Sequence, residues 1–465
     1  MILSFLFFCY TGFSQTPDKT AGSMEQQLEN STENNADTES EDDSYLQQLY
    51  HFIKHPLNLN YAGENELKEL RLLNPLQVQS LLSYRKLLGN LLNIYELQAI
   101  PGWSIALIQK IRPYISVDAR TDVLTLFNKR FRSGEHMLLL RAGQTLERSK
   151  GYLIDTGNFY TGSPQKILLR YRYQFKKLLQ YGLVAEKDAG EQFFKGSQPQ
   201  GFDFYSLHFF ARQIGIIQSL AIGDFTVNMG QGLIQWQNLA FKKSAEIAGI
   251  KREAAILQPY QAAGEINFHR GAGITLGRRS WQATVFISGK KVDANFIADT
   301  AQYSPDHVSS LQTSGYHRSK SEIEDKAIQQ QLVFGGNLSF KQQRFSVGVN
   351  AVQYKFKWPL IKSNEPYNLY AMSGRSLGNV SIDYSYTLKN LHFFGEAAAC
   401  NNGRLAFING LLVSMSATVD MSFLYRNIAP AYQSLYAAAF TESGAPSNEK
   451  GFYMGISLHP AGKFK

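Results

Sequence analysis

The spacing of apolar and polar positions changes period once along this chain, near residue 120. Before that point apolar residues recur at helical spacing, as in Tyr45-Leu46, Leu49-Tyr50 and Phe52-Ile53. After it the period is 2. Ile167, Leu169, Tyr171, Tyr173 and Phe175 fall on one face of a strand, with Lys166, Arg170, Arg172 and Gln174 on the other and Leu168 the exception. Trp281, Ala283, Val285 and Ile287 alternate with Gln282, Thr284, Phe286 and Ser288, and Phe345, Val347, Val349 and Ala351 with Ser346, Gly348, Asn350 and Val352. Further strands are predicted near 137–146, 203–212, 215–226, 330–340, 377–387, 391–399, 413–426 and 450–458, with turns at Lys389-Asn390 and Asn401-Asn402-Gly403. The alternation fails between Met229 and Pro259. This predicts an insert near 229–260, a long loop or a short helix from Ser244 to Ile250, folded into a barrel lumen or over its mouth.

The helical part is one unit written twice, thirty residues apart. Glu66-Leu67 returns as Glu96-Leu97, Leu70 as Ile100, Val78 as Ile108, Leu81 as Ile111 and Tyr84 as Tyr114. A repeat of this size predicts a supersecondary unit that buries its apolar face against its twin, two short helices tightly joined in each copy. Residues 45–118 thus form a small all-α module, which resembles the tandem helix-hairpin-helix of ComEA-like competence DNA receptors.

That resemblance implies contact with duplex DNA without sequence preference, through hairpin amides, a helix N-terminus and nearby cations. The matching positions are Arg85 and Lys86 after the first hairpin, Gly102, Trp103 and Ser104 in the second, and Lys110 and Arg112 beyond it. The usual Gly-x-Gly core is eroded. Ser104 replaces the second glycine, and Leu72-Leu73-Asn74-Pro75-Leu76 has none, with Pro75 removing an amide donor. Leu72, Leu73 and Trp103 suit packing against protein. Two roles stay open for the module: docking a periplasmic protein partner or the barrel's own mouth, or binding DNA.

Composition refines this picture. Aromatic residues make up 13 %, and 37 glycines stand against 14 prolines, as expected of aromatic-rich strands joined by Gly, Asn and Asp turns. Met1 to Gln15 reads as a secretory signal peptide without a basic start, and 16–44 as an acidic segment too polar to fold alone. The formal charge of +9 is therefore concentrated beyond it. Cys9 would leave with the signal, and Cys400 then stands alone, which excludes an intramolecular disulfide and a cysteine metal site. No later segment is apolar enough for a membrane-spanning helix, so any insertion must use strands.

Export, strands of about ten residues and the Tyr/Phe excess predict that 120–465 is an outer-membrane-type antiparallel β-barrel in contact with lipid. A large soluble β-sandwich or solenoid is the alternative. His459-Pro-Ala-Gly-Lys-Phe-Lys465 reads as a hairpin turn rather than a closing strand, so the barrel is expected to be incomplete at its C-terminus. Lys242, Lys243, Lys251 and Arg252 make the insert basic. Within a lumen they would pair with carboxylates or select anionic solutes.

Catalysis finds no support. Gly230-Gln231-Gly232 lacks the Gly-Lys-Ser/Thr of a phosphate loop, and His208, His269 and His317 form no motif with Asp203, Asp224 or Ser319. His317-Arg318 beside Glu322 and Glu324 is expected to order a long loop through ion pairs. No enzyme activity, cofactor or metal site is predicted.

A second resemblance spans most of the chain from residue 45. Asn58-Leu59-Asn60, Leu81-Leu82-Ser83-Tyr84-Arg85 and Ile94-Tyr95-Glu96-Leu97-Gln98-Ala99-Ile100-Pro101-Gly102 are similar to an exported family of Bacteroidota-type bacteria that joins this module to a β-rich region. Gly223-Asp224-Phe225, Gly230-Gln231-Gly232-Leu233 with Trp236, Lys242-Lys243-Ser244-Ala245, Ser314-Gly315-Tyr316-His317-Arg318 and Glu322-Ile323-Glu324-Asp325-Lys326 match its signatures. The resemblance implies an envelope location and this architecture, with no settled activity. Members usually run on past the point where this chain stops.

Overall fold

The computed structural model describes residues 44–117, 127–153, 159–240, 247–298, 306–342, 344–416 and 419–458. The expected signal, the acidic segment up to residue 43, Lys242, Lys243 and the turn at 459–465 lie outside them.

Helices α1 (Ser44–Lys54), α2 (Glu64–Glu69), α3 (Pro75–Leu88) and α4 (Ile105–Ile111) carry the N-terminal module, with a 3-10 turn at Ile94–Ala99. The starts of α2, α3 and α4 are fixed locally. Asn74 and Gln77 cap one another at 2.8 Å, and Pro75 sits where its missing N–H costs nothing. Ser104 accepts from the Leu107 N–H and so starts α4. The repeat carries its caps with it: Glu66 accepts from the Gly63 N–H and Glu96 from the Leu92 N–H. In the second copy the leading helix tightens to 3-10, started by Asn93 on the Tyr95 N–H.

Leu67, Leu70, Val78 and Leu81 of the first copy bury against Leu97, Ile100 and Ile111 of the second. Asn60 stitches the copies together, donating to the Leu91 carbonyl at 2.9 Å and accepting from its N–H at 2.7 Å. A parallel pairing of Leu57–Asn58 with Ile115–Ser116 ties the two ends of the module.

Fourteen long strands follow among the described residues. They are β1 (Glu135–Gln144), β2 (Gln165–Phe175), β3 (Leu179–Lys187), β4 (Phe204–Ile214), β5 (Ile217–Val227), β6 (His269–Arg278) and β7 (Trp281–Val292). The set continues as β8 (Gln329–Gln342), β9 (Phe345–Leu360), β10 (Gly374–Leu388), β11 (Leu391–Cys400), β12 (Leu405–Ser416), β13 (Val419–Ile428) and β14 (Glu449–Leu458). Each pairs antiparallel with the next, in the up-and-down order of a barrel. Among the described residues no register joins β1 to β14, so the sheet is not closed there.

Two expectations need correcting. The segment predicted as one strand near 413–426 falls in two strands, β12 ending at Ser416 and β13 beginning at Val419. Strands β3 and β6 escape the period-2 pattern because glycines (Gly182, Gly271, Gly273, Gly277) fill positions that would otherwise show alternation. Gly271 and Gly273 are needed for close packing: a Cβ on Gly271 would lie 2.2 Å from the Ile287 carbonyl oxygen.

The two ends of the sheet differ. At one end short connections of two or three residues join β2–β3, β4–β5, β6–β7, β8–β9, β10–β11 and β12–β13. At the other, long connections run over 145–164, 188–203, 228–268, 293–328, 361–373 and 429–448.

The two faces differ as well. The register aligns Thr275, Thr284, Asn337, Asn350 and Ser381 in one rung on the inner face. These side chains bond one another, Thr275 Oγ1 to Thr284 Oγ1 at 2.9 Å and Asn337 Nδ2 to Asn350 Oδ1 at 2.7 Å. One residue along, Ala283, Leu338, Val349, Ile382 and Ala397 form the next rung on the outer face. Asn350 is 1 % exposed, whereas Leu338, Val349 and Ile382 are 49, 51 and 56 % exposed. In these two rungs polar groups face in and apolar groups face out, inverted relative to a water-soluble sheet. No helix among the described residues is long and apolar enough to cross a membrane, which says nothing of strands.

Candidate functional site

The inner face of the sheet is filled by the chain's own insert. After β5 the backbone turns inward at Gly230 and Gly232, whose φ values of 54° and 82° suit glycine. The N–H groups of Gln231 and Leu233 then donate to one oxygen of Glu396 on β11, at 2.7 and 3.1 Å. The Gly-x-Gly of the sequence is thus a cradle for a carboxylate of the wall, and a Cβ on Gly230 would fall 2.6 Å from that carboxyl carbon.

Further along, Gln235 accepts from the Tyr354 hydroxyl and meets His269 Nε2 at 3.0 Å, and Trp236 N–H donates to the Tyr436 carbonyl at 2.6 Å. The 429–448 connection also enters: Tyr432 donates to the Leu233 carbonyl and Arg252 Nε to the Ala438 carbonyl. Leu233 and Ile234 complete an apolar core with Phe225, Val333, Tyr354 and Phe394 from strands around the sheet.

The short-turn end is covered by the helical module. Glu69 of α2 accepts from Arg212 at 2.6 Å and from Lys177 at 2.9 Å. Burial acts to raise the Glu69 pKa, but Arg212 and Lys177 overcome it and hold the carboxyl at about 2. Lys177 also lies 4.0 Å over the Phe52 ring, and His51 meets Gln174 at 3.0 Å. On the far side of the mouth, Lys68 bridges Glu64 of its own helix (2.5 Å) and Glu253 of the insert (3.7 Å), while Lys341 of β8 reaches Glu64 at 3.8 Å. Leu76 of α3 joins the apolar core inside the sheet. Module, insert and wall are therefore connected at one mouth.

The long-connection end carries a second polar cluster. His317 Nδ1 lies 2.6 Å from Asp203 and Nε2 3.1 Å from Asp293, and Lys326 holds the other oxygen of Asp203 at 2.7 Å. Burial alone would lower the His317 pKa; the two aspartates raise it to about 10, so the ring is an imidazolium. Burial, with Asp203 adding to it, pushes Glu191 up, and Glu265 is pushed well above the carboxylate range for the same reasons. Two sets, Glu191-Asp203-His317 and Glu265-Asp293-His317, each bring three ligand-type atoms within 4.8 Å and could hold a cation. With both ring nitrogens engaged by carboxylates, the arrangement observed is an ion-pair clasp joining the 188–203 and 293–328 connections.

The residues singled out from sequence are dispersed. Arg85 donates to the Ala62 carbonyl at 2.6 Å within the module. Trp103 is buried, its Nε1 donating to the Gln77 carbonyl at 3.1 Å, and the Gly102 carbonyl accepts from Gln77 Nε2 at 3.2 Å. Ser104 is spent on the α4 cap. Lys86, Lys110 and Arg112 are exposed on the module surface. Of the insert cations, Lys251 pairs with Glu253 at 2.6 Å and meets His392 at 2.8 Å, and Arg252 is buried against Ala438 and the Phe440 ring.

Arg318 pairs with Glu322 at 3.0 Å, and Ser319 caps the short helix α6 (Lys320–Glu324; α5 is Phe127–Arg132). His208 and His269 meet Gln180 and Gln235. Sequence reasoning missed Glu69, Lys177, Arg212 and Glu396, whose partners lie more than a hundred residues away.

No protein-family model and no curated protein matches this chain. Among solved structures, it aligns with an anion-selective porin from Comamonas acidovorans at 12 % identity, covering 65 % of this chain and 91 % of that one, with a TM-score of 0.28. It aligns with in-vitro folded OmpT of Vibrio cholerae at 9 % identity, covering 70 % and 97 %, TM-score 0.28. A triple mutant of the Rhodopseudomonas blastica porin aligns at 8 %, covering 69 % and 99 %, TM-score 0.24. Superpositions this loose carry no argument about function.

Proposed function

We propose that this protein is a non-enzymatic outer-membrane β-barrel that acts in envelope transport or assembly, with its helical module on the periplasmic side closing the barrel's own mouth. The observation that carries the reading is the outer rung Leu338–Val349–Ile382, half-exposed and apolar, backed one residue away by the buried polar rung Asn337–Asn350–Ser381. An apolar belt is unfavourable in water and favourable against lipid, while polar groups turned inward remain satisfied. Aromatic pairs lie along the short-turn rim of that belt, Trp281 with Phe340 at 5.0 Å and Phe345 with Tyr386 at 6.4 Å, where a membrane interface favours them. Short turns characterise the periplasmic end of such barrels. The module lies at that end.

The test is fractionation of cells expressing the chain, followed by electrophoresis with and without heating. The reading expects outer-membrane sedimentation, resistance to alkaline extraction and a heat-dependent shift in mobility. A protein extracted fully into buffer contradicts it.

A further inference from the structure

We infer that the C-terminal end of α3 seats on the bilayer beside the barrel, with a lipid phosphate held between Lys86 and Arg344. This gives the helical module a lipid partner of its own; it deepens the outer-membrane reading above and rests on it.

The direction of α3 is the first argument. The helix starts inside the sheet, where Leu76 belongs to the core that includes Phe225 and Phe394. Its last turn lies at the rim, where Lys86 and Leu87 line one hollow with Arg344 and Phe345. Phe345 is 41 % exposed and opens the outward-facing series of β9 that includes Val349. A helix of 14 residues is about 20 Å long, enough to run from the lumen over the rim to the outer face.

Apolar exposure is the second argument. Leu87 and Leu88 at the end of α3, and Leu92 just after it, are 80, 71 and 88 % exposed. Large apolar side chains gathered in the open mark a surface that something else covers. Leu87 shares its hollow with the outward-facing Phe345, so this patch is continuous with the outer belt of the sheet. What covers the belt therefore covers the helix end.

Charge is the third argument, and it selects a headgroup. The carboxylates lining the hollow among the described residues are Glu64 and Glu253. Glu64 is taken by Lys68 and Lys341, and Glu253 by Lys251. Lys86 and Arg344 are exposed, and among the described residues neither meets a carboxylate. The hollow, about 290 Å³, has room for a phosphate between them. Cations beside apolar side chains at a membrane interface match a lipid, its phosphate on the charges and its chains along Leu87 and Phe345.

Fluorescence quenching of the full chain reconstituted in phosphatidylcholine vesicles tests this. An NBD label is placed singly at Leu87→Cys, Leu88→Cys, Leu92→Cys or, on the outer face of β10, Val380→Cys, in a Cys9→Ser/Cys400→Ser background. All four labels should be quenched by a lipid carrying doxyl on its acyl chain and spared by iodide in the water. Adding phosphatidylglycerol should strengthen the lipid quenching at Leu88, and Lys86→Gln/Arg344→Gln should abolish that gain.

Iodide reaching the three leucine positions while Val380 stays in lipid would overturn the inference and leave the barrel standing. Leucine positions shielded from both quenchers would put protein on the helix end, a second copy or another chain, and overturn it as well. A phosphatidylglycerol gain that survives Lys86→Gln/Arg344→Gln would overturn the phosphate site. Iodide reaching Val380 would bring down the barrel reading, and this inference with it.

Discussion

Glu69 of the helical module and Arg212 of the barrel wall are 2.6 Å apart, although 143 residues separate them in the chain. With Lys177 they form the clasp that holds the module on the short-turn mouth. Glu69→Gln leaves two partly buried cations without their buried counter-charge, and breaking such a pair costs about 3 kcal/mol. Hydrogen exchange of the α1–α3 amides should accelerate by about a hundredfold, with strand amides unchanged. The pH dependence follows from the depressed carboxyl. Its stabilising contribution is complete above the ordinary value of 4.5 and is lost as pH falls through about 2. Acid should therefore release the module in the unsubstituted chain and have less effect in Glu69→Gln.

At the opposite end the sign reverses. His317 is held protonated up to about 10, so its clasp on Asp203 and Asp293 contributes fully below 6.5 and is lost as pH rises through 10. Protease cleavage within the 188–203 and 293–328 connections should increase across that alkaline window. His317→Gln should show the same increased cleavage at pH 7. Cleavage that stays constant up to pH 11 would remove the clasp from the account.

Gly230 permits the inward turn of the insert. Gly230→Ala introduces a Cβ at φ +54° that meets the Glu396 carboxylate, and the left-handed backbone alone costs about 1–2 kcal/mol. Released from its cradle, the insert should leave the lumen more often. Single-channel recording in planar bilayers should find low conductance in the unsubstituted chain and more frequent, larger openings in Gly230→Ala.

These residues mark the limit of what the sequence made legible. Alternation in Lys166 to Phe175 and Trp281 to Ser288 was enough to place β2 and β7, because each strand has one polar and one apolar face. Strand β6 was hidden, since glycine contributes no face. The thirty-residue repeat predicted two short helices in each copy, whereas their caps on neighbours three or four residues away came from the structure. The clasps were illegible for the opposite reason. His317 finds Asp203 across 114 residues and Gln231 finds Glu396 across 165, distances over which a single sequence carries no pairing signal. The glycine pair at Gly230 and Gly232 lacks the Gly-Lys-Ser/Thr of a phosphate loop, and only the fold shows that it cradles a wall carboxylate.

The module's resemblance to a helix-hairpin-helix invites a DNA test. Trp103 is buried, the Gly102 carbonyl is engaged by Gln77, and the exposed cations of the candidate set are Lys86, Lys110 and Arg112. Too few phosphate contacts remain for strong binding. The full chain should give no mobility shift of duplex DNA at physiological salt. A shift that weakens steeply with salt and disappears in Lys110→Glu/Arg112→Glu would assign a DNA-uptake role instead.

The central claim is that the outer face of the sheet meets lipid. Nitroxide labels placed singly along β10, at Val380, Ser381, Ile382, Asp383 and Tyr384, can report this in the protein reconstituted into bilayers. Collision with oxygen, which concentrates in lipid, and with a water-soluble nickel chelate should alternate with period 2. Labels at Val380, Ile382 and Tyr384 should be open to oxygen and closed to nickel, and those at Ser381 and Asp383 shielded from oxygen. Nickel reaching Val380, Ile382 and Tyr384 freely would place that face in water and contradict the account.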